Sequence, residues 1–156
     1  MTNKEFILTI APIIQRVANE RGYKFPSAII AQACNESAYG RSSLGKNYNN
    51  FFGLKCGSAW KGKSVNLTTK EEYTVGTLTE IKDNFRVYDT MKDGVYGYFN
   101  FINYSRYSNL KDSVSSRNYL ELIKSDGYAT SSKYVDKVYA VVESQDLLKW
   151  DFRHLE

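Results

Sequence analysis

The chain has 156 residues, 42% hydrophobic and 24% charged, which suits a single domain (1–156) able to bury a core of its own. A formal charge of +4 with no run of Lys or Arg excludes a nucleic-acid arm, and no apolar stretch is long enough to span a bilayer. One histidine, His154, and two cysteines, Cys34 and Cys56, support no zinc site, and no metal or cofactor is expected.

The first predicted element covers Asn3 to Arg21. Phe6, Ile7, Ile10, Ile13, Ile14 and Val17 recur at helical steps after an N-cap at Thr2, and Pro12 is expected to split the segment near Ile10. Pro26 then suits the first position of a second helix, whose Ala28, Ile29, Ile30, Ala31, Ala33 and Cys34 make it apolar nearly all round. Cys34 reads as a small buried hydrophobe, and whether it pairs with Cys56 stays open.

At the end of this helix stands Glu36, followed by Ser37-Ala38-Tyr39-Gly40, with Gly40 as expected C-cap. A carboxylate at the end of an apolar helix is costly to ionise, so burial raises its pKa and suits it to general-acid work. The spacing leaves a second reading open, a glutamate emerging into solvent at a helix terminus.

Arg41 to Leu44 is read as one more helical turn and Asn47 to Asn50 as a polar turn. Asn49 and Asn50 either contact sugar or, as such turns usually do, bond their own backbone. From about 51 to 88 the period shifts toward two, in Ser64–Thr68, Thr77–Ile81 and Phe85–Tyr88, with a hairpin turn at Thr74-Val75-Gly76. Trp60 is a candidate sugar platform or a packing residue of this lobe. Helices follow at about Thr90–Tyr104, Asn118–Lys124 and Ser132–Leu148, their apolar stripes reading as core. Thirteen tyrosines suit a carbohydrate surface, since a ring face packs on a sugar while the hydroxyl bonds to it; several also fill the core.

Four stretches carry a resemblance. The blocks A-Q-A-C-N-E-S-A-Y-G, N-N-F-F-G-L-K, N-F-R-V-Y-D and G-Y-A-T-S-S-K-Y-V-D-K-V occur in one order from about Phe6 onward. Together they resemble the glucosaminidase family of bacterial peptidoglycan hydrolases, the flagellar-rod and autolysin enzymes of glycoside hydrolase family 73. The resemblance implies an α+β, lysozyme-like fold, a mainly helical body with a small antiparallel hairpin lobe flanking the active-site cleft. It implies an endo-β-N-acetylglucosaminidase with Glu36 as the acid.

Glycoside hydrolysis needs a second group beside the acid. The family's hairpin carboxylate is best matched by Glu72 before Tyr73, with Glu71 and Glu80 as the lesser candidates. The alternative is attack by the substrate's own acetamide, oriented by Tyr128, which stands where the family carries a functionally important tyrosine. Tyr39 and Tyr134 join Asn49, Asn50 and Trp60 as candidate sugar contacts; Tyr134 and Lys137 are also expected to brace Tyr128, and Arg86 to tie the sheet lobe to the helices.

The expected partner is the glycan strand of bacterial peptidoglycan, met by a monomer with no nucleic acid and no membrane span. Without a leader in its sequence, the chain is expected to be an excised domain or a phage lysin acting outside the cell or in the wall. The rivals are a muramidase or lytic transglycosylase of similar fold, and a wall-binding module without activity.

Overall fold

A computed structural model describes residues 1–152. His154 lies outside the described residues. Helix α1 (Asn3–Arg21) is capped by Thr2, whose hydroxyl accepts the Glu5 amide while the Glu5 carboxylate accepts the Thr2 amide, at 3.1 Å each. The break expected at Pro12 does not occur: α1 is continuous through it. Pro12 lies on the exposed face, while buried Ile10, Ile14 and Val17 hold the helix on the core.

Helix α2 (Pro26–Ser37) is the axis of the body, with α1, α5, α6, α3 and the C-terminal 3-10 turn all packed against it. Ala28, Ile29, Ile30, Ala31, Ala33 and Cys34 are all fully buried. Each isoleucine contributes roughly 1.5–3 kcal/mol in burial alone. The N-terminus of α2 is capped from afar, as Asp151 accepts the Ser27 amide at 2.8 Å and the Ser27 hydroxyl at 2.7 Å. The two cysteines are free and buried.

The short α3 (Ser43–Tyr48) starts on the Ser42 hydroxyl and ends on Asn49 at φ 55°, one turn later than the sequence pattern indicates. The three alternating segments prove to be two strands. β1 (Ser64–Thr74) pairs antiparallel with β2 (Thr77–Arg86), Gly76 taking the positive φ of 83° at the turn. Residues 51–63 are loop, so the hairpin is the only sheet among the described residues. Its base is tied down by Cys56 N–H to Asn84 O and Arg86 N–H to Leu54 O. Its outer half projects with both faces largely exposed.

Helices α4 (Met91–Phe101), α5 (Ser116–Ser125) and α6 (Tyr134–Ser144) complete the body. Two 3-10 segments, Ser105–Asp112 and Leu147–Asp151, follow α4 and α6; the sequence pattern marks neither, because a 3-10 turn has no amphipathic stripe of its own. The fold is mainly helical with one antiparallel hairpin. No helix among the described residues is long and apolar enough to cross a membrane.

Candidate active site

Helix α2 ends on a strained turn that delivers Glu36. Ala38, Tyr39 and Gly40 take left-handed φ values of 49°, 56° and 81°, so the C-cap is Ala38 and not the expected Gly40. Two side chains hold the turn. The Ser37 hydroxyl donates to Ala33 O at 2.6 Å and accepts the Gly40 amide at 2.9 Å. A Cβ at Gly40 would lie 2.7 Å from the Phe6 ring, so only glycine lets the chain turn back over α1.

The loop after α3 wraps round the carboxyl that this turn presents. Asn50 is buried and donates to Leu54 O and Arg86 O at 2.9 Å each while accepting the Leu54 amide at 3.0 Å. Asn49 donates to Tyr88 O at 3.1 Å. Both side chains therefore shape the loop, the backbone-bonding role of the two open to them. The loop brings Gly53 against Glu36: at φ 67°, a Cβ there would sit 3.2 Å from Glu36 Oε2. The preceding carbonyl, Phe52 O, accepts the Tyr128 hydroxyl at 2.8 Å.

Four groups surround Glu36 electrostatically. Burial pushes its carboxyl up to about 7; the neighbouring Tyr134 hydroxyl and the Lys137 ammonium draw it back, and Glu71 raises it further. Burial, with Tyr134 and Glu36 beside it, holds the Tyr128 phenol protonated well above its ordinary range. Tyr134 is buried at the same place and accepts a hydrogen bond from Gln32 Nε2 at 2.8 Å.

On the hairpin, the side chain turned toward Glu36 is Glu71, and the expectation for Glu72 is not met by the geometry. Glu71 Oε1 accepts from Lys55 Nζ at 2.8 Å and Oε2 from the Thr130 hydroxyl at 2.6 Å. Glu72 points the other way: its carboxylate accepts the Gly76 amide at 3.2 Å, and the Ser132 hydroxyl with that amide holds it below the usual carboxylate range. A register shift between Glu71 and Thr74 breaks the simple alternation there. Glu80 pairs with Lys70 on the exposed outer half.

Two other candidates lie apart from this group. Tyr39 packs on the edge of Phe6 and accepts from Gln145 at 3.4 Å, between α1 and α6. Trp60 donates to Lys63 O at 2.8 Å and covers Arg86, whose guanidinium carbon lies 4.8 Å from its ring centre and 5.1 Å from that of Phe101. Arg86 thus ties the hairpin base to α4, as the sequence reading expects. Lys55, Thr130, Gly53 and Gln32 belong to the site without having been singled out. Each lies inside or next to one of the four sequence blocks, but nothing in those blocks says which neighbour it meets. Among the described residues no group of three or more His, Cys, Asp or Glu is placed to hold a metal.

Comparison with known proteins shows the family. The sequence profile described as "Glucosaminidase: Mannosyl-glycoprotein endo-beta-N-acetylglucosaminidase" matches residues 11–147. The peptidoglycan hydrolase FlgJ of Pseudomonas aeruginosa is 32% identical over 140 residues, 86% of this chain and 34% of that protein. The exo-glucosaminidase LytG of Bacillus subtilis is 30% identical over 142 residues, 87% of this chain and 49% of its own length. The chain thus spans about a third to a half of these curated relatives. A crystal structure of a peptidoglycan hydrolase mutant from Sphingomonas sp. A1 superposes with a TM-score of 0.81 at 27% identity, covering 94% of this chain and 96% of that one.

Proposed function

The chain belongs to the glucosaminidase family of peptidoglycan hydrolases, and from that premise we propose that it cleaves the β-1,4 bond between N-acetylglucosamine and N-acetylmuramic acid, with Glu36 as general acid and Glu71 as the second carboxylate. The observation that carries this reading is that Glu71 lies close enough to Glu36 to raise its carboxyl. Glu36 is held near a pKa of 7 by burial, while Glu71 faces it with both oxygens gripped by Lys55 and Thr130.

Glu36 gives its proton to the bridging oxygen as the C1–O bond breaks, and Glu71 takes the proton of the water that attacks C1. Lys55 and Thr130 aim Glu71. The proton balance then closes, one carboxyl losing what the other gains. The substrate is the glycan strand of the bacterial wall, so the site of action is the peptidoglycan layer. The net charge of +4 suits approach to an anionic polymer.

One observation favours acetamide participation as a second reading. Tyr128 donates its only hydroxyl proton to Phe52 O, which leaves its lone pair as an acceptor. An acetamide N–H bonded there would turn its carbonyl oxygen toward C1, which it attacks as the C1–O bond breaks and Glu36 protonates the leaving oxygen; water then opens the oxazolinium ion and returns its proton to Glu36.

The test is digestion of purified peptidoglycan by the wild type and Glu36→Gln, followed by borohydride reduction and mass spectrometry. Reduced glucosamine ends from the wild type, absent with the variant, support the proposal. Reduced muramic acid or anhydro-muramic ends would transfer the chain to the muramidase or transglycosylase reading. No new ends from the wild type would leave a wall-binding module.

A further inference from the structure

Beneath Glu36 a chain of buried hydrogen bonds runs into the core. The Tyr98 hydroxyl donates to Gln32 Oε1 at 2.6 Å, Gln32 Nε2 donates to the Tyr134 hydroxyl oxygen at 2.8 Å, and the Tyr98 and Tyr119 hydroxyls are 2.5 Å apart. Gln32, Tyr98 and Tyr119 are 0% exposed and Tyr134 is 4% exposed, so bulk water supplies no other partner.

Counting protons gives the chain a direction. Tyr98 has one hydroxyl proton and Gln32 takes it, so Tyr119 is the donor in the tyrosine pair. Tyr134 accepts from Gln32, so its own proton is free for the next acceptor, the neighbouring Glu36 carboxyl. The order is Tyr119, Tyr98, Gln32, Tyr134, Glu36, each donating to the next. Turning the Gln32 amide over would reverse the lower half, since its carbonyl would then take the Tyr134 proton.

We infer that Gln32 and Tyr98 are positioning residues for the reaction: by fixing the Gln32 amide, they make Tyr134 a donor to Glu36 and never a receiver of its proton. This rests on the reading of Glu36 as the acid. With one carboxyl oxygen held as an acceptor by Tyr134, the carboxyl's own proton sits on the other oxygen, where the bridging oxygen of the substrate can take it. The same donation favours ionised Glu36 and so sets the upper pH at which the acid is still loaded. The other groups facing Glu36 are Lys137 on α6, Glu71 on β1 and Tyr128 in the loop before α6.

Two substitutions separate positioning from packing, because each removes one buried hydroxyl and keeps its ring. In Tyr98→Phe, Gln32 Oε1 loses its donor and the amide is free to turn toward Tyr134. In Tyr119→Phe, Tyr98 still donates to Gln32. Two measurements are made on both variants and the wild type: the kcat/KM pH profile on purified peptidoglycan, and a carbon NMR titration of the Glu36 carboxyl. Tyr98→Phe is expected to move the upper limb and the Glu36 titration to higher pH by roughly one to two units, on the scale of one hydrogen bond to a charged group. Tyr119→Phe is expected to lose comparable thermal stability and to leave both in place. Equal movement in the two variants, or a drop in Tm with no movement in either, overturns the inference. A titration that moves while Glu36→Gln still turns over substrate would instead overturn the role given to Glu36.

Discussion

The Thr130 hydroxyl latches the β-hairpin to the helical body, donating to Glu71 Oε2 at 2.6 Å and accepting the Glu72 amide at 3.0 Å. Opposite it, Lys55 Nζ holds Glu71 Oε1 at 2.8 Å and reaches Asp83 at 3.5 Å. Glu71 is therefore clamped by the body on one side and by the loop at the hairpin base on the other. Thr130→Val removes both bonds without changing the size of the side chain. It should lower kcat about tenfold, with a Tm change of no more than about 2 °C, because the outer hairpin buries little else. Thr130→Ser should restore the rate. Wild-type kcat in Thr130→Val would mean that Glu71 needs no latch.

Glu71 and Glu72 are neighbours with opposite surroundings, which makes them a matched pair. Glu71→Gln should cost on the order of a hundredfold or more in kcat, the scale of a lost general base. Glu72→Gln should stay within about threefold, since its carboxylate bonds the Gly76 amide and Ser132 and is not among the groups facing Glu36. Muropeptide release rates measured side by side decide between them. The reverse ranking would return the role to Glu72, and two mild effects would favour acetamide participation.

The pH dependence follows from Glu36. Its carboxyl is raised to about 7 by burial, so kcat/KM should fall as pH rises above about 7 and the acid loses its proton. The effect on stability has the same origin. An acid raised in the folded state holds a proton that the unfolded chain releases at its ordinary value of 4.5, so stability declines as pH climbs from there to about 7. Glu36→Gln removes that penalty. It should be more stable than the wild type at pH 8, by about 3 kcal/mol and with a higher Tm, and nearly as stable at pH 4. Equal Tm values at pH 8 would contradict the raised carboxyl.

Gly53 is fixed by two independent constraints, its φ of 67° and the 3.2 Å that would separate a Cβ from Glu36 Oε2. Gly53→Ala should cost roughly 1–2 kcal/mol of stability from the left-handed backbone alone. It should also lower kcat by displacing the carboxyl. Denaturant titration with parallel turnover measurements checks both, and an unchanged kcat would show that the loop yields without moving Glu36.

The sequence by itself determined most of the elements and singled out Glu36 as the candidate acid. Apolar periodicity marks α1, α2, α4 and α6, Pro26 and Thr2 mark two of their starts, and Glu36 stands out because a carboxylate ends an otherwise apolar helix. Four ordered blocks are enough to place the chain in its family. The tertiary structure decided the rest. Whether Pro12 breaks α1 depends on which face it occupies, and it is the exposed one. Alternation along β1, regular from Ser64 to Glu71, puts Glu71 on the half-buried face with Val65, Leu67 and Thr69, but only the packing shows that this is the face turned to the helical body. The partners of Glu71 and Glu36 lie on loops and helices far away in the chain: Lys55 and Thr130 for the one, Gln32, Tyr134 and Gly53 for the other. Periodicity is a property of one element, whereas an active site is a property of several packed together, and only the packing sets which side chains share a proton.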